Sequence, residues 1–240
     1  MEELKELKVP KHLAIILDGN RRYAKKTALN PLHGHKIGAD ILRNFFDWIK
    51  EFDIKELTIY TLSMQNIQRP KAEVDFLYAL MKQRFSYYLT EEGFKELQDD
   101  QVKVRAIGRS NLLPQDLQDI FNELMQRTKD FNKYILNFAI PYGGREEIVD
   151  ATKKLCRDVA SNKLQIKDIN KKVFANYLYL NSDPELIIRT SGHIRTSNFL
   201  PWQSAYSEWI FVDKLWPEFT REDFINCLKV FSKRKRNFGK

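Results

Sequence analysis

Residues 12–26, HLAIILDGNRRYAKK, run an apolar stretch straight into Asp18-Gly19-Asn20 and then into Arg21, Arg22, Lys25 and Lys26. A lone carboxylate followed by cations suits the handling of a polyanion. Arg22 carries the planar fork that grips a phosphate bidentately. Gly19 permits close backbone approach or a positive φ, and a helix starting here would turn free N–H groups toward an anion. Asp18 repels phosphate, but it is the right group for Mg2+, which takes one or two carboxylates together with phosphate oxygens. The same residues also fit an Asp-Gly turn ahead of a solvated basic helix.

Three further clusters carry chemistry. In HGHKIGAD (33–40), His35 can donate to a phosphate or act as a cap or surface residue. In LSMQNIQRP (62–70), Ser63, Asn66 and Arg69 are small or forked donors ahead of a proline, fitting a polar pocket wall or a plain strand–helix loop. In RTSGHIRTSNFLPWQSAYSEW (189–209), Arg189, Arg195 and Ser197 have the composition of a second phosphate site. Glu208 is a second carboxylate available to a metal. The aromatics Phe199, Trp202, Tyr206 and Trp209 read as packing residues.

These clusters follow short apolar runs. Strands are expected at 13–17, 56–62, 102–108, 134–140, 185–190 and 208–213, and the first, fourth and fifth are apolar almost throughout, as in strands buried on both faces. Helical periodicity falls on 34–51, 71–91, 114–129, 144–161, 168–180 and 220–236, with Pro70 and Pro114 placed to open their helices. Repeated β–α units predict an α/β fold: one domain, a mainly parallel sheet of about six strands, and helices on both faces. Ligands in such sheets bind beyond the carboxyl ends of the strands, where each polar cluster lies.

Composition narrows the class. The chain has 240 residues, 43% of them hydrophobic and 12% aromatic, enough for one sizeable core. A formal net charge of +8 points to anionic partners: phosphates, nucleic acid or an acidic membrane surface. Cys156 and Cys227 lack metal-ligand spacing and read as reduced core residues. No apolar run reaches the roughly 18 residues of a spanning helix, and the charged N-terminus has no signal-peptide core, so a soluble, cytoplasmic protein is expected. Neither GxxxxGK[ST] nor GxGxxG is present, which disfavours the common nucleotide folds.

Five motifs in order resemble the cis-prenyltransferases, the undecaprenyl or polyprenyl diphosphate synthases. They are HLAIILDGNRRYAKK, GHKIGAD, LSMQNIQRP, NFAIPYGGREEI and RTSGHIRTSNFLPWQSAYSE, spanning nearly the whole chain. The resemblance implies an enzyme that condenses isopentenyl diphosphate onto an allylic diphosphate of farnesyl or geranylgeranyl type. It implies Mg2+, a homodimer (or a heterodimer), and an apolar tunnel for the growing chain, with the helices at 34–51 and 71–91 as its walls. It makes Asp18 the metal and catalytic carboxylate. It puts Gly19, Asn20, Arg21, Arg22, His35 and Arg69 at the allylic diphosphate, and Arg189, Arg195 and Ser197 at isopentenyl diphosphate. Asn20 and Asn66, with Ser63, are linked to proton removal, and Glu208 to a metal contact across the dimer. The resemblance makes residues 1–240 one domain, with 1–11 as an arm and 220–240 as C-terminal helix and tail. A lipid product suits peripheral contact with a membrane.

The chain departs from the family pattern at several points. Gln65, Ile67, His193 and Ile194 replace the usual Glu, Trp, Glu and His, Pro31 replaces an arginine, and Asn237 replaces the arginine of a C-terminal R-x-G, with Arg236 one place early. Altered metal affinity, primer preference or product length is expected. Two other readings are a non-catalytic subunit of the same fold and a nucleic-acid-binding module. The second rests on charge alone, and SKRKRNFGK (232–240) reads as a solvated helix end, so no nucleic acid is expected.

Overall fold

The computed structural model describes residues 7–234. Arg236, Asn237 and the ends of the expected N-terminal arm and C-terminal tail lie outside these residues.

Six strands form one sheet: β1 (His12–Ile16), β2 (Glu56–Tyr60), β3 (Val102–Ile107), β4 (Tyr134–Ala139), β5 (Leu186–Arg189) and β6 (Glu208–Phe211). Their order is β3-β4-β2-β1-β5-β6 and every pairing is parallel. Side-chain alternation splits the apolar strand residues between two cores. Leu13, Ile15, Leu57, Ile59, Leu186 and Ile188 face the larger one. Ala14, Ile16, Ala139 and Ile187 face the smaller, with Tyr142 and Phe199.

The helices are α1 (Asn20–Lys26), α2 (Pro31–Glu51), α3 (Lys71–Tyr87), α4 (Glu91–Asp99), α5 (Gln115–Arg127), α6 (Gly144–Ala160), α7 (Lys171–Ala175) and α8 (Arg221–Lys233). Helix α2 starts three residues earlier than its period predicts: Asn30 accepts from the Leu32 N–H at 3.0 Å and Pro31 takes the first turn. The helix expected over 71–91 ends at Tyr87, and Thr90 caps a separate α4 by accepting from the Gly93 N–H. A Cβ on Gly93 would lie 2.1 Å from the Tyr87 carbonyl oxygen, so the corner needs glycine. Of the helix expected at 168–180 only five residues form, α7.

Two smaller expectations also change. Cys227 is buried but Cys156 is exposed, on the solvent side of α6. Tyr206 is 70% exposed and is no core residue. Among the described residues no helix is long and apolar enough to cross a membrane.

The order of strands positions the chemistry. The chain leaves β1 toward β2 on one side and leaves β5 toward β6 on the other. The loops after β1 and β5 therefore diverge, and a crevice opens between them at the carboxyl edge. The register pairs Ile16 with both Tyr60 and Arg189, so residues 18–22, 61–69 and 189–198 emerge at one level.

Candidate active site

Asp18 stands at that crevice. Its Oδ2 accepts from Arg189 Nη2 at 2.7 Å, and Arg22 Nη2 lies 3.4 Å from its Oδ1. The main chain is pinned as well, since the Asp18 carbonyl accepts from Thr190 Oγ1 and the Trp216 N–H. Burial pushes the Asp18 pKa up. The hydrogen bond from Arg189 and the charges of Arg189 and Arg22 outweigh it and hold the carboxyl below its ordinary value.

Arg189 is 3% exposed. Besides Asp18 it donates from Nη1 to the Arg195 carbonyl and to Ser197 Oγ, each at 2.6 Å, leaving Nε with no partner among the described residues. It ties the β1 loop to the β5 loop. Arg22 adds a second tie, donating to the Ser191 carbonyl at 3.0 Å.

The positive φ anticipated at Gly19 is present, at +116°, and a Cβ there would lie 2.9 Å from Leu215 Cα. Helix α1 has only seven residues, so the positive potential of this corner comes from its cations rather than from a long helix dipole. The glycines of HGHKIGAD let α2 close on α1. A Cβ on Gly34 would sit 2.1 Å from the Asn20 carbonyl oxygen, and one on Gly38 the same distance from Asn20 Oδ1. Asn20 is thus seated against α2, its Nδ2 donating to the Leu17 carbonyl and its Oδ1 buried without a hydrogen-bond partner among the described residues.

On the other side of the crevice Ser63 and Asn66 close a loop reciprocally: each backbone N–H donates to the other's side-chain oxygen, at 3.1 and 3.0 Å. Gln65 opens the short turn that carries Asn66, and Ile67 packs on the core. Arg69, His35 and Arg21 converge on one carboxylate, Glu73, at 2.9, 3.6 and 3.8 Å. Burial lowers the His35 pKa, the Arg69 charge adds to this, and Glu73 opposes it.

A cavity of about 1780 Å³ opens among these groups. Asp18, Arg22, His35, Asn66, Arg69 and Ser197 line its mouth. Leu42, Phe46 and Ile49 of α2 and Leu77, Met81 and Phe85 of α3 line its body, confirming the two expected walls. It reaches Ile54, Val102 and Tyr134 at the amino ends of the strands, roughly 20 Å from the mouth at about 3.3 Å per strand residue. The lining ceases to be apolar there: Arg43 pairs with Glu96 and Lys50 with Asp100 across the seam between α2 and α4.

Glu208 is not brought to Asp18 within the chain. It opens β6 level with Leu186 and Leu13, at the amino end of the sheet, and pairs with Arg234 at 2.6 Å. His193 and Arg195 line the cavity, while Ile194 is 80% exposed. Among the described residues no group of three or more His, Cys, Asp or Glu side chains could hold a metal by itself.

Sequence reasoning left Tyr142-Gly143-Gly144 and its neighbours without a role. Asn198 accepts from the Arg145 N–H through Oδ1, donates to Glu146 through Nδ2, and offers its carbonyl to the Gly144 N–H. Ser197 and Asn198 both have positive φ, so the start of α6 clamps a strained loop that carries the Arg189 partners. Glu147, fully buried, accepts from Tyr142 Oη, the Tyr179 and Leu180 N–H groups and Gln203 Nε2. Glu73 also went unnoticed. Its only sequence signal is its place four residues after Arg69, an ion-pair spacing.

A parallel sheet whose switch point holds a carboxylate bridged to arginines, above a long greasy cavity, defines a protein that handles an anionic head on an apolar tail. A family model described as "Putative undecaprenyl diphosphate synthase" matches residues 16–239. The tritrans,polycis-undecaprenyl-diphosphate synthase (geranylgeranyl-diphosphate specific) of Pyrococcus abyssi is 44% identical, over 100% of this chain and 90% of that protein. The protein of the same name from Methanopyrus kandleri is 43% identical, over 100% and 88%. The structure is also similar to that of lavandulyl diphosphate synthase from Lavandula x intermedia in complex with dimethylallyl diphosphate, with a TM-score of 0.88 and 32% identity over 99% of this chain and 100% of that one. The chain belongs to the undecaprenyl diphosphate synthase family, the cis-prenyltransferases.

Proposed function

We propose that this protein condenses isopentenyl diphosphate onto an allylic diphosphate, lengthening a cis-polyprenyl diphosphate. The observation that carries the reading is the Asp18–Arg189–Arg22 cluster at the mouth of an apolar cavity that runs the length of the sheet. The names of the relatives favour geranylgeranyl diphosphate as the primer.

Each cluster then has a task. Arg21, Arg22, His35 and Arg69, with the backbone at Gly19 and Asn20, cradle the allylic diphosphate. Arg195 and Ser197, held in place through Arg189, receive isopentenyl diphosphate. As the allylic C–O bond breaks, negative charge grows on the leaving diphosphate, and preplaced cations stabilise it there more than in the ground state. Leu42, Phe46, Met81 and Phe85 keep water from the carbocation. The new C–C bond forms to isopentenyl diphosphate, and the proton it sheds passes to the departing pyrophosphate, beside Asn20 and the Ser63 and Asn66 pair.

Asp18 fits Mg2+ as a single carboxylate that remains ionised and faces the cavity, provided that diphosphate oxygens complete the coordination. Bound there, the ion would neutralise charge on the diphosphate. Glu208 can join only from a second copy, so the active form is proposed to be a dimer, homomeric unless another chain of this family replaces one subunit. A basic protein with a lipid product acts at the cytoplasmic membrane surface without spanning it.

The test is incorporation of labelled isopentenyl diphosphate with Mg2+ and either farnesyl or geranylgeranyl diphosphate. Long products with geranylgeranyl diphosphate are expected. No incorporation with either primer sinks the reading.

A further inference from the structure

The entry cradle is gripped from behind. Arg69 Nη1, His35 Nε2 and Arg21 Nη1 surround the Glu73 carboxylate at 2.9, 3.6 and 3.8 Å. The three cationic or donor side chains line the cavity, but Glu73 does not; it stands behind them, its side chain 11% exposed. It lies in the first turn of α3, just after Pro70. His35 Nε2 is buried with no hydrogen-bond partner among the described residues and meets Glu73 only at ion-pair distance. The other cation group has its own carboxylate, Asp18, and that one faces the cavity. Glu73 is therefore poorly placed to coordinate anything bound there, and well placed to weaken the grip of its neighbours on an anion.

We propose that Glu73 is an internal counter-anion that sets how tightly the cradle of Arg21, His35 and Arg69 holds pyrophosphate. The inference rests on the diphosphate reading above and concerns how the site empties. When the allylic C–O bond breaks, the electron pair leaves with the diphosphate, which becomes inorganic pyrophosphate. The lengthened chain carries the diphosphate of the former isopentenyl unit and can react again only after the cradle is vacated. Cations without a counter-charge would retain the leaving group. A carboxylate behind them, in contact at salt-bridge distance, competes for the same charge and lowers the affinity for both the diphosphate and its fragment. Glu73 acts through Arg21, His35 and Arg69, so it is a positioning residue.

The experiment titrates inorganic pyrophosphate with Mg2+ into the full-length parent, Glu73→Gln, Glu73→Ala and Glu73→Asp by calorimetry. Loss of the charge in Gln and Ala is expected to tighten pyrophosphate binding about tenfold, while Asp stays close to the parent. In turnover with geranylgeranyl diphosphate, Glu73→Gln lowers both kcat and the KM for the allylic substrate, and the KM for isopentenyl diphosphate is unchanged. A purely structural role predicts the reverse, weaker binding in every variant. Gln or Ala binding pyrophosphate no tighter than the parent overturns the proposal, as does Asp shifting as far as Gln. Since Gln and Ala carry the same expectation, either decides if the other does not fold. A parent that binds no pyrophosphate removes the diphosphate reading itself, and this inference with it.

Discussion

Two carboxylates with opposite orientations stand among the cations of the site. Asp18 faces the cavity between Arg189 and Arg22, and Asp18→Ala is expected to cut incorporation at least about a hundredfold. The thermal transition should fall by several degrees, because the change leaves the buried Arg189 guanidinium without its carboxylate, so activity is compared at a temperature where the variant is folded; retained activity would remove Asp18 from its assigned role. Its pH behaviour has a definite sign. The folded-state pKa lies below the unfolded one, so the stability it contributes is present above the ordinary aspartate value and is lost as pH falls through the folded value. Urea melts of parent and Asp18→Asn should converge as pH drops below about 4, and a constant gap would show that the arginine bonds do not perturb this group. Asp18, Arg22 and Arg189 were legible because type and place coincide, a carboxylate or a fork at the end of an apolar run. Glu73 was not, because its meaning comes from three segments that meet only in space.

At the scale of elements, the glycines do what no side-chain donor could. Helix α2 reaches Asn20 only because Gly34 and Gly38 leave room. Gly38→Ala forces its methyl into Asn20 Oδ1 and toward Trp216, and should cost about 1–3 kcal/mol and raise the KM for the allylic diphosphate; denaturation and steady-state kinetics measure the two effects. Helix α6 is held by Glu147, whose pKa burial raises against its hydrogen bonds. Glu147→Ala takes the acceptor from Tyr142 Oη and the Tyr179 and Leu180 N–H groups and one of two acceptors from Gln203 Nε2, and should destabilise by about 3 kcal/mol or more, read in a urea melt. A loss of under about half a kcal/mol would contradict that network. All six strands were visible as apolar or β-branched runs. The break between α3 and α4 was missed because apolar period continues through it, and the cap at Thr90 had to be weighed against that period. The short α7 was over-read for the converse reason: apolar spacing persists into a segment whose chain turns toward Glu147.

At the scale of the molecule, strand order is what the sequence does not reveal. Local pattern gives parallel strands, but the exchange of direction between β1 and β5 depends on which strands pair at a distance. That exchange puts Asp18 beside Arg189, 171 residues apart in sequence. Assembly can be tested at the same scale. If Glu208 serves the partner's site, Asp18→Ala and Glu208→Ala chains are each inactive alone. Mixed and reassembled, they form hybrids with one intact site and recover about a quarter of parental activity. No recovery, with hybrids verified by mass, would show that Glu208 does not serve the partner's site.

Helix α2 belongs to both ends of the molecule. Its first turns seat Asn20 at the cavity mouth, and its later turns, through Leu42, Phe46 and Ile49, form the wall. Twenty-one residues make a rod of about 30 Å. A single helix is therefore common to both compartments: the rod that seats Asn20 beside Asp18 also bounds the apolar space beneath it.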